Sequence, residues 1–402
     1  MPFSGGNGTA SNPYLIATPA DFNDVRLYLS RYFKQISDIN LDIYDNFEPI
    51  GNISTPFSGH YDGGSFKISS LSITRPDQDY IGLFGYTNYA YINNCNIYGN
   101  VQGKNYVGGC IGYINHGGDN DIKNCVFNGN IQGGDYVGGF VGVNNSGGLS
   151  QCKAKGQVSG NLIVGGFIGL HGSVSAIIND CSSESDIVGN REIGGFVGRI
   201  PGTSRADINR CYYIGNITCF VDTVGGFIGR MQYSRIQNCF CKANINEGSV
   251  NGGFVGYIDA YFPTSPATIT NCYSVSTINS TGLEVRGFVA KIISKGYYNI
   301  TRCYYDYEVS TLSDSFAISK DTAEMKQQST FEYWDFDTIW GIDPSINDGY
   351  PYLLWSKEQT IGLKAFVITD AALKQAKKMF LITDAGLKEI KKLNVITDTG
   401  LK

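Results

Sequence analysis

The chain has 402 residues, with 31 Lys and Arg against 36 Asp and Glu, which gives a formal net charge of −5 at pH 7. This acidic balance argues against nucleic acid as a partner, because such proteins carry a basic surface. No apolar stretch approaches the length of a membrane span. The first residues lack the basic and apolar regions of a secretory signal peptide. We therefore expect that the chain works where it is made, that it leaves the cell by another route such as lysis, or that a signal peptide has been removed.

The first predicted element is a short helix that starts after Thr18. Thr18 is a suitable N-cap, Pro19 suits the first helical position, and Asp21 would complete a capping box. The apolar face of this helix would consist of Phe22, Val25, Leu29 and either Tyr32 or Phe33. We expect residues 1–40 to form an N-terminal capping segment.

Two motifs then alternate through the middle of the chain. The cysteine motif reads apolar, any residue, polar, Cys, and it ends at Cys95, Cys125, Cys152, Cys181, Cys211, Cys239, Cys272 and Cys303. Between these lies a glycine-rich motif of the form GGFVG, centred on Leu83, Cys110, Phe140, Phe167, Phe196, Phe227, Phe254 and Phe288. A period of about 29 residues is typical of a solenoid of stacked coils.

Each coil consists of two segments, or arcs, and only one of them has a nearly constant length. From each cysteine to the next glycine-rich centre there are 15 or 16 residues, whereas the return arc varies from 12 to 18. Insertions are tolerated in exposed loops, because a buried loop would leave backbone polar groups unpaired. The variable arcs therefore predict a continuous ridge of loops along one side.

Short runs rich in Ile and Val, separated by Gly and Asn, predict three strands per coil. They are the glycine-rich motif, the cysteine motif and a brief polar–apolar–polar run. Strands that recur once per coil pair in parallel with the coils above and below. The predicted fold is all-β, a right-handed parallel β-helix of about ten coils over residues 41–310, with a rise of about 4.8 Å per coil.

The eleven cysteines favour a reduced, buried ladder over a disulfide framework. The chain has no CxxC pair, and its three histidines have no metal-ligand spacing. We therefore expect no metal and no cofactor.

Two further segments follow the last cysteine. Residues 311–356 contain a second capping-box pattern at Asp321–Glu324 and an aromatic run, and they predict a C-terminal cap. Residues 357–402 repeat the phrase Ile-Thr-Asp every 14 residues and hold nine Lys against five acids. This tail carries a charge of +4 against −9 for the rest, which predicts a separate module for attachment or oligomerisation.

The GGFVG core resembles the repeat of the GLUG-repeat family. The flanks support the resemblance: GTASNPYLIATPADFNDVR resembles the family's opening segment, and WGIDPSINDGYPYLLW resembles its closing segment. It covers roughly residues 5–356. Members are mostly bacterial surface proteins, adhesin-like proteins or parts of larger secreted enzymes, and the repeat itself carries no shared catalytic residues. The tail's ITDAGLK phrase resembles segments of bacteriophage tail-fibre proteins.

Catalysis by a β-helix depolymerase would need converging carboxylates. The acids of the variable arcs are Asp119, Asp121, Asp207 and Asp259, and they fall in different coils with no repeated pairing. We therefore expect no catalytic residues and no enzyme activity.

Binding has more candidates, because interfaces favour aromatic residues and Arg. The predicted ridge residues are Tyr113, His116, His171, Arg199, Arg205, Arg230, Arg235, Tyr257, Tyr261, Phe262, Lys291 and Tyr297. A second predicted set follows the cysteines as an outward aromatic column, Tyr212, Phe240, Tyr273 and Tyr304. This column would either bind sugar rings or a partner chain, or pack beneath the C-terminal cap.

These observations predict a non-enzymatic β-helix that displays a ridge of loops for surface attachment, as a virion component such as a tail fibre or receptor-binding protein. The expected partners are a host-surface glycan or protein and, through the tail, other virion or envelope proteins or further copies of the chain. The alternatives are a bacterial surface adhesin that is extracellular or on the cell surface, and a polysaccharide depolymerase.

Overall fold

A computed structural model shows that the N-terminal part of the chain is a β-solenoid. Parallel strands stack into about nine turns, which confirms the predicted parallel β-helix. Contacts divide the chain into two units, Met1–Leu354 and Trp355–Lys402. The structure describes residues 3–116, 122–172, 174–202, 205–260, 266–294 and 296–357, together with four short strands near the C-terminus.

Each full turn contains four strands rather than the predicted three. The glycine-rich motif is split, because one strand ends at its first glycine (Asp135–Gly138) and the next begins after its aromatic residue (Val141–Asn144). The run after each cysteine is continuous with the third predicted strand, as in Lys153–Ser159. We number the resulting sheets I to IV in the order in which the chain passes through them, starting with the cysteine motif.

Sheets I and II carry the cysteine motif and the residues that follow it. The strands of sheet I are Tyr14–Ile16, Tyr32–Gln35, His60–Asp62, Tyr91–Asn93, Ile122–Lys123, Leu149–Ser150, Val174–Asn179, Arg205–Asn209, Arg235–Gln237, Ala267–Thr270 and Tyr298–Thr301. Those of sheet II are Ile39–Asn40, Lys67–Thr74, Asn96–Gln102, Val126–Gln132, Lys153–Ser159, Ser182–Gly189, Tyr212–Cys219, Phe240–Glu247, Tyr273–Ser274, Thr277–Asn279, Tyr304–Asp306 and Ile318–Lys320.

Sheets III and IV flank the glycine-rich bend. The strands of sheet III are Val107–Gly108, Asp135–Gly138, Leu162–Gly165, Arg191–Gly194, Thr223–Gly225, Val250–Gly252 and Glu284–Arg286. Those of sheet IV are Phe84–Thr87, Ile111–Ile114, Val141–Asn144, Ile168–His171, Val197–Ile200, Ile228–Met231, Val255–Ala260 and Val289–Ser294.

Helices are short and lie at the ends of the solenoid. The α-helices are Pro19–Asp24 and Tyr307–Ser310, and the 3₁₀ turns are Val25–Leu27, Glu324–Lys326, Gln328–Thr330, Asn347–Gly349 and Leu354–Ser356. No helix in the described part of the chain is long and apolar enough to cross a membrane. In the second unit, Phe380–Thr383 pairs antiparallel with Gly386–Glu389, and Ile396–Thr397 pairs with Gly400–Leu401.

Two ladders of identical side chains run through the solenoid interior, among buried Ile and Val side chains. All eleven cysteines are buried and unpaired, as the sequence predicts. The phenyl rings of the glycine-rich motif stack face to face, with centroids 4.8 to 5.1 Å apart, along Phe140, Phe167, Phe196, Phe227, Phe254 and Phe288. These centroid distances follow the rise of about 4.8 Å from one coil to the next, so each coil packs directly on its neighbour.

The N-terminal cap starts as predicted but its helix is shorter. The Thr18 hydroxyl accepts a hydrogen bond from the Asp21 N–H at 3.1 Å, and the Asp21 carboxylate accepts one from the Thr18 N–H at 3.0 Å. The predicted apolar face does not continue beyond Leu27, because residues 32–35 form a strand of sheet I. Phe33 is buried in the core from that strand instead.

The C-terminal cap begins with the predicted reciprocal pair. The Glu324 N–H donates to the Asp321 carboxylate at 2.7 Å, and the Asp321 N–H donates to the Glu324 carboxylate at 3.2 Å. The cap ends in a small antiparallel pair, Trp340–Gly341 with Tyr352–Leu353. Trp340 is fully buried in it.

Candidate binding face

The variable arcs all connect a strand of sheet IV to the next strand of sheet I. They therefore leave the solenoid at the same corner, as predicted for a ridge. Of the predicted ridge residues, Tyr261 and Phe262 lie outside the described residues, and so does the side chain of Arg205. The others can be placed individually.

His171 does not belong to the ridge. Its side chain is fully buried, with Nδ1 3.3 Å from the carbonyl oxygen of Asn144, and burial lowers the pKa of its imidazole to about 4. The physical reason is position, since His171 occupies the inward column of sheet IV, next to Asn144 and Ile200. His116, by contrast, is exposed and stacks on Tyr89 with centroids 5.5 Å apart.

The predicted aromatic column does not form an exposed face. Tyr212, Phe240 and Tyr273 stack at 5.0 and 5.1 Å, but they and Tyr304 are all buried. The C-terminal cap covers three of them: Phe240 lies 6.2 Å from the Trp340 ring, Tyr304 packs edge-on against Phe331 at 5.1 Å, and the amide of Asn347 donates to the Tyr273 hydroxyl at 2.8 Å. Tyr212 stacks on Phe240, and its hydroxyl donates to Glu184 at 2.8 Å. The cap therefore packs on an apolar surface formed by Phe240, Tyr273 and Tyr304.

Five of the remaining ridge residues lie in strands of sheet IV rather than in the predicted loops, and they form a regular column: Tyr113, Arg199, Arg230, Tyr257 and Lys291. Strand register places the following side chains one above the other: Tyr86, Tyr113, Val143, Leu170, Arg199, Arg230, Tyr257 and Lys291. Arg235 and Tyr297 lie elsewhere. Arg235 pairs with Asp207 on sheet I, and Tyr297 is partly buried against the core.

A second tyrosine column stands beside the first, where the chain enters sheet III. Tyr106 precedes Val107–Gly108, Tyr136 is the second residue of Asp135–Gly138, and Tyr80 precedes the isolated bridge between Ile81 and Val107. Tyr80, Tyr106 and Tyr136 stack at 4.7 and 5.0 Å with nearly parallel rings. Each has a left-handed backbone, with φ of 63°, 56° and 60°. Sequence reasoning missed these residues, although a Tyr followed by Ile or Val and then Gly recurs in three coils.

The two columns join into one cluster of five half-exposed tyrosines. Tyr86 and Tyr113 stack at 5.0 Å, and rings of the two columns meet edge to face at 5.4 to 5.9 Å. Such edge-to-face contacts are favourable for aromatic pairs. Burial and the neighbouring phenols raise the pKa of Tyr86, Tyr106 and Tyr113, so these hydroxyls stay protonated and can both donate and accept hydrogen bonds.

Glycines hold the columns side by side, because sheets III and IV approach each other too closely for a side chain. A Cβ on Gly142 would lie 2.6 Å from the carbonyl oxygen of Gly112 and 2.7 Å from the carbonyl carbon of Tyr106. The glycine-rich motif therefore fixes the separation of the two columns.

In later coils, the same columns carry charged side chains instead of tyrosines. Arg230 donates from Nε to the Asp259 carboxylate at 2.8 Å and from Nη1 to Glu192 at 3.0 Å, and its guanidinium lies 4.9 Å from the ring centre of Tyr257. Arg199 also approaches Glu192, at 3.4 Å. In this network the carboxylates of Glu192 and Asp259 are paired with arginines, and the guanidinium groups of Arg199 and Arg230 remain partly exposed to solvent.

The acids of the variable arcs that the structure describes do not converge. Asp207 pairs with Arg235, and Asp259 is buried against Arg230. Asp119 and Asp121 lie outside the described residues. Within the described ranges, no group of three or more His, Cys, Asp or Glu side chains could hold a metal ion.

No protein-family model matches the chain. It is 43% identical over 90 residues to a Gly-rich membrane protein of Evansella cellulosilytica, and 35% identical over 94 residues to halomucin of Haloquadratum walsbyi. Each alignment covers 21% of this chain but only 10% and 1% of the respective relative. The chain therefore spans a small part of the curated relatives it matches.

The fold has a counterpart among solved structures. The crystal structure of a protein assigned as an immunoglobulin A1 protease from Bacteroides ovatus matches with a TM-score of 0.51 over 88% of this chain and 96% of that chain. The sequence identity is 21%, so the match shows a shared β-solenoid fold and nothing about activity.

Proposed function

We propose that this protein is a non-enzymatic, rigid β-helix that attaches to a surface through its tyrosine–arginine face. The observation that carries the proposal is the cluster of Tyr80, Tyr86, Tyr106, Tyr113 and Tyr136, continued on the same columns by Arg199 and Arg230. Tyr and Arg are the residues that dominate binding energy at protein interfaces. Stacking in a solenoid fixes them before a partner arrives, which reduces the entropy lost on binding.

The absence of catalysis is part of this proposal. In the described part of the chain, the candidate acids that can be placed are each paired with an arginine, an arrangement suited to holding side chains rather than to transferring protons. The alternative, a polysaccharide depolymerase, would release reducing ends from capsule or cell-wall polysaccharide. We expect no such release.

The proposed partner is a glycan or protein of a cell surface, and nucleic acid is not expected. The similarity to a Gly-rich membrane protein and to halomucin, by their names, favours a place in the bacterial or archaeal cell envelope. The Ile-Thr-Asp tail instead favours a virion, where it would join neighbouring proteins or further copies. Immunogold labelling of cells and of phage particles from the same culture separates the two locations.

The attachment face is tested with fluorescently labelled protein on purified bacterial cell envelopes. A Tyr106→Ala, Tyr113→Ala double variant should lose at least about ten-fold in apparent affinity, since interface tyrosines each contribute about 1–2 kcal/mol or more. Tyr333→Ala is the matched control, because Tyr333 is 81% exposed on the C-terminal cap. Circular dichroism should show both variants folded. Equal binding by the double variant and the parent would reject this face.

A further inference from the structure

A second face of the solenoid, on sheet II, has a different chemistry. Two neighbouring outward columns along this sheet consist almost entirely of amides and hydroxyls. Strand register aligns the first as Asn100, Asn130, Gln157 and Asp186, and the second as Gln102, Gln132, Ser159 and Val188. None of these residues was singled out by the sequence, where they read only as polar positions of a strand.

The columns line a depression of about 380 Å³ that crosses the coils from Thr74 to Val188. The side chains of Asn100, Asn130, Gln132 and Gln157 are exposed along it. Asp186 is the one ionisable residue in the lining. The depression therefore offers a repeating set of hydrogen-bond donors and acceptors with almost no net charge.

Several of these amides keep their bonding capacity free. Gln102, Gln132 and Gln157 make no side-chain hydrogen bond to another described residue, whereas Asn216, one coil beyond the depression, is held by two bonds to Asp186 at 2.8 and 3.0 Å. A primary amide has two donor hydrogens and an acceptor oxygen, which match hydroxyl groups that both donate and accept. The coils repeat every 4.8 Å or so, a spacing suited to a ligand that is itself a linear repeat.

The path continues to an exposed aromatic side chain. The Phe220 N–H donates to the carbonyl oxygen of Gly189 at 3.1 Å. Because Gly189 directly follows Val188 in the lining, Phe220 lies on the next coil, just beyond the end of the depression. Phe220 is 56% exposed and borders a second depression of about 480 Å³. An exposed ring at the end of a polar path provides apolar surface for one face of a ring-shaped ligand unit.

We infer that the amide face of sheet II binds an extended, uncharged polysaccharide, with successive sugar units lying along successive coils and Phe220 contacting one end. The inference gives the molecule a binding site distinct from the tyrosine–arginine face. An acidic polysaccharide is disfavoured, because its carboxylates would meet Asp186 and no lysine or arginine lines the depression.

The full-length protein can be tested by affinity electrophoresis in gels that contain dextran, hydroxyethyl cellulose or laminarin, with alginate as the acidic counterpart. At least one neutral polymer should retard the protein, and alginate should not. An Asn130→Ala, Gln132→Ala, Gln157→Ala variant should lose at least about ten-fold in affinity for that polymer, and Phe220→Ala about three-fold. These side chains are on the surface, so the variants should keep the parent's melting temperature.

Asn128→Ala is the matched control, since Asn128 is exposed on the same strand and lies outside the lining of the depression. It should bind like the parent. The inference is overturned if no neutral polymer retards the protein, if alginate retards it equally, or if the triple variant binds unchanged. Retardation that disappears only in the Tyr106→Ala, Tyr113→Ala variant would move polysaccharide binding to the tyrosine–arginine face and leave that proposal standing.

Discussion

At the scale of single residues, the polar position before each cysteine is explained by backbone conformation. Asn94, Asn124 and Asp180 have φ of 55°, 53° and 54°, in the left-handed region that Asn and Asp tolerate better than other residues with a Cβ. Their side chains also form a ladder, in which the Asn124 amide donates to the Asn94 oxygen at 2.8 Å. The motif therefore encodes the corner between sheets I and II.

The thiols next to this corner are protected by burial. Burial raises the pKa of Cys181 well above its ordinary value and that of Cys241 to about 12. A thiol that stays protonated is a weak nucleophile, so Cys181 and Cys241 are suited to packing rather than to redox chemistry. At Cys125 and Cys239, burial raises the pKa, but hydrogen bonds from neighbouring thiols outweigh it and lower the pKa.

His171 should make the protein sensitive to mild acid. Its pKa is about 4 in the folded protein, against an ordinary value of 6.5 for histidine, so the unfolded chain takes up the proton first as the pH falls. The stability is therefore complete above about pH 6.5 and declines towards pH 4. At pH 5 we expect a loss of about 2 kcal/mol from this residue, measured by urea unfolding at pH 7 and pH 5.

Substitution of His171 by Met should remove most of that pH dependence, because Met231 occupies the same inward column two coils further on. His116→Gln is the control, since His116 is exposed and should leave the dependence intact. The assignment fails if the His171→Met variant loses as much stability as the parent between pH 7 and pH 5.

At the scale of elements, the glycine-rich bend is the feature that sets the shape of each coil. Sheets III and IV are brought so close together that backbone contacts backbone at Gly142, while Phe140 turns into the core. The tyrosine columns are a consequence of this close approach, because they stand at the two sides of the bend.

Gly142→Ala should therefore destabilise the solenoid strongly. Its Cβ would meet backbone atoms at 2.6 and 2.7 Å that cannot move without distorting the neighbouring coil. We expect a loss of about 2–3 kcal/mol or more in the free energy of unfolding by urea. Gly172→Ala is the control, because its Cβ would find its nearest neighbour at 3.4 Å, and it should change stability by less than about 0.5 kcal/mol. If Gly142→Ala and Gly172→Ala changed the free energy of unfolding equally, the close approach of sheets III and IV would not be the reason for glycine in this motif.

At the scale of the whole solenoid, the C-terminal cap fastens several coils together. Lys242 pairs with Asp348, and the Tyr350 hydroxyl donates to Asp306 at 2.8 Å. The cap thus links strands of sheet II that belong to different coils, and it shields their aromatic column from solvent.

A variant that ends at Ser356 should accordingly fold on its own. It retains the first unit, Met1–Leu354, with both caps. We expect a melting temperature within a few degrees of the parent and an unchanged β-type circular dichroism spectrum. Size-exclusion chromatography with light scattering should show loss of self-association or of assembly into a larger particle. An unfolded variant would assign residues 357–402 to the fold, and unchanged assembly would remove their proposed anchoring role.

The sequence by itself determined the coil: its period, the inward cysteines, the corner from which the variable loops leave and the starts of both caps. These features depend on contacts within one coil or with the adjacent coil, so the periodicity of the sequence reveals them. The exposure of outward residues was decided only by the tertiary structure. Tyr273 is covered by a segment more than 70 residues further along the sequence. His171 is buried because its position on sheet IV faces the core. The two tyrosine columns meet only because glycines allow sheets III and IV to approach each other closely. The residue pattern along a single strand does not reveal the separation between two sheets.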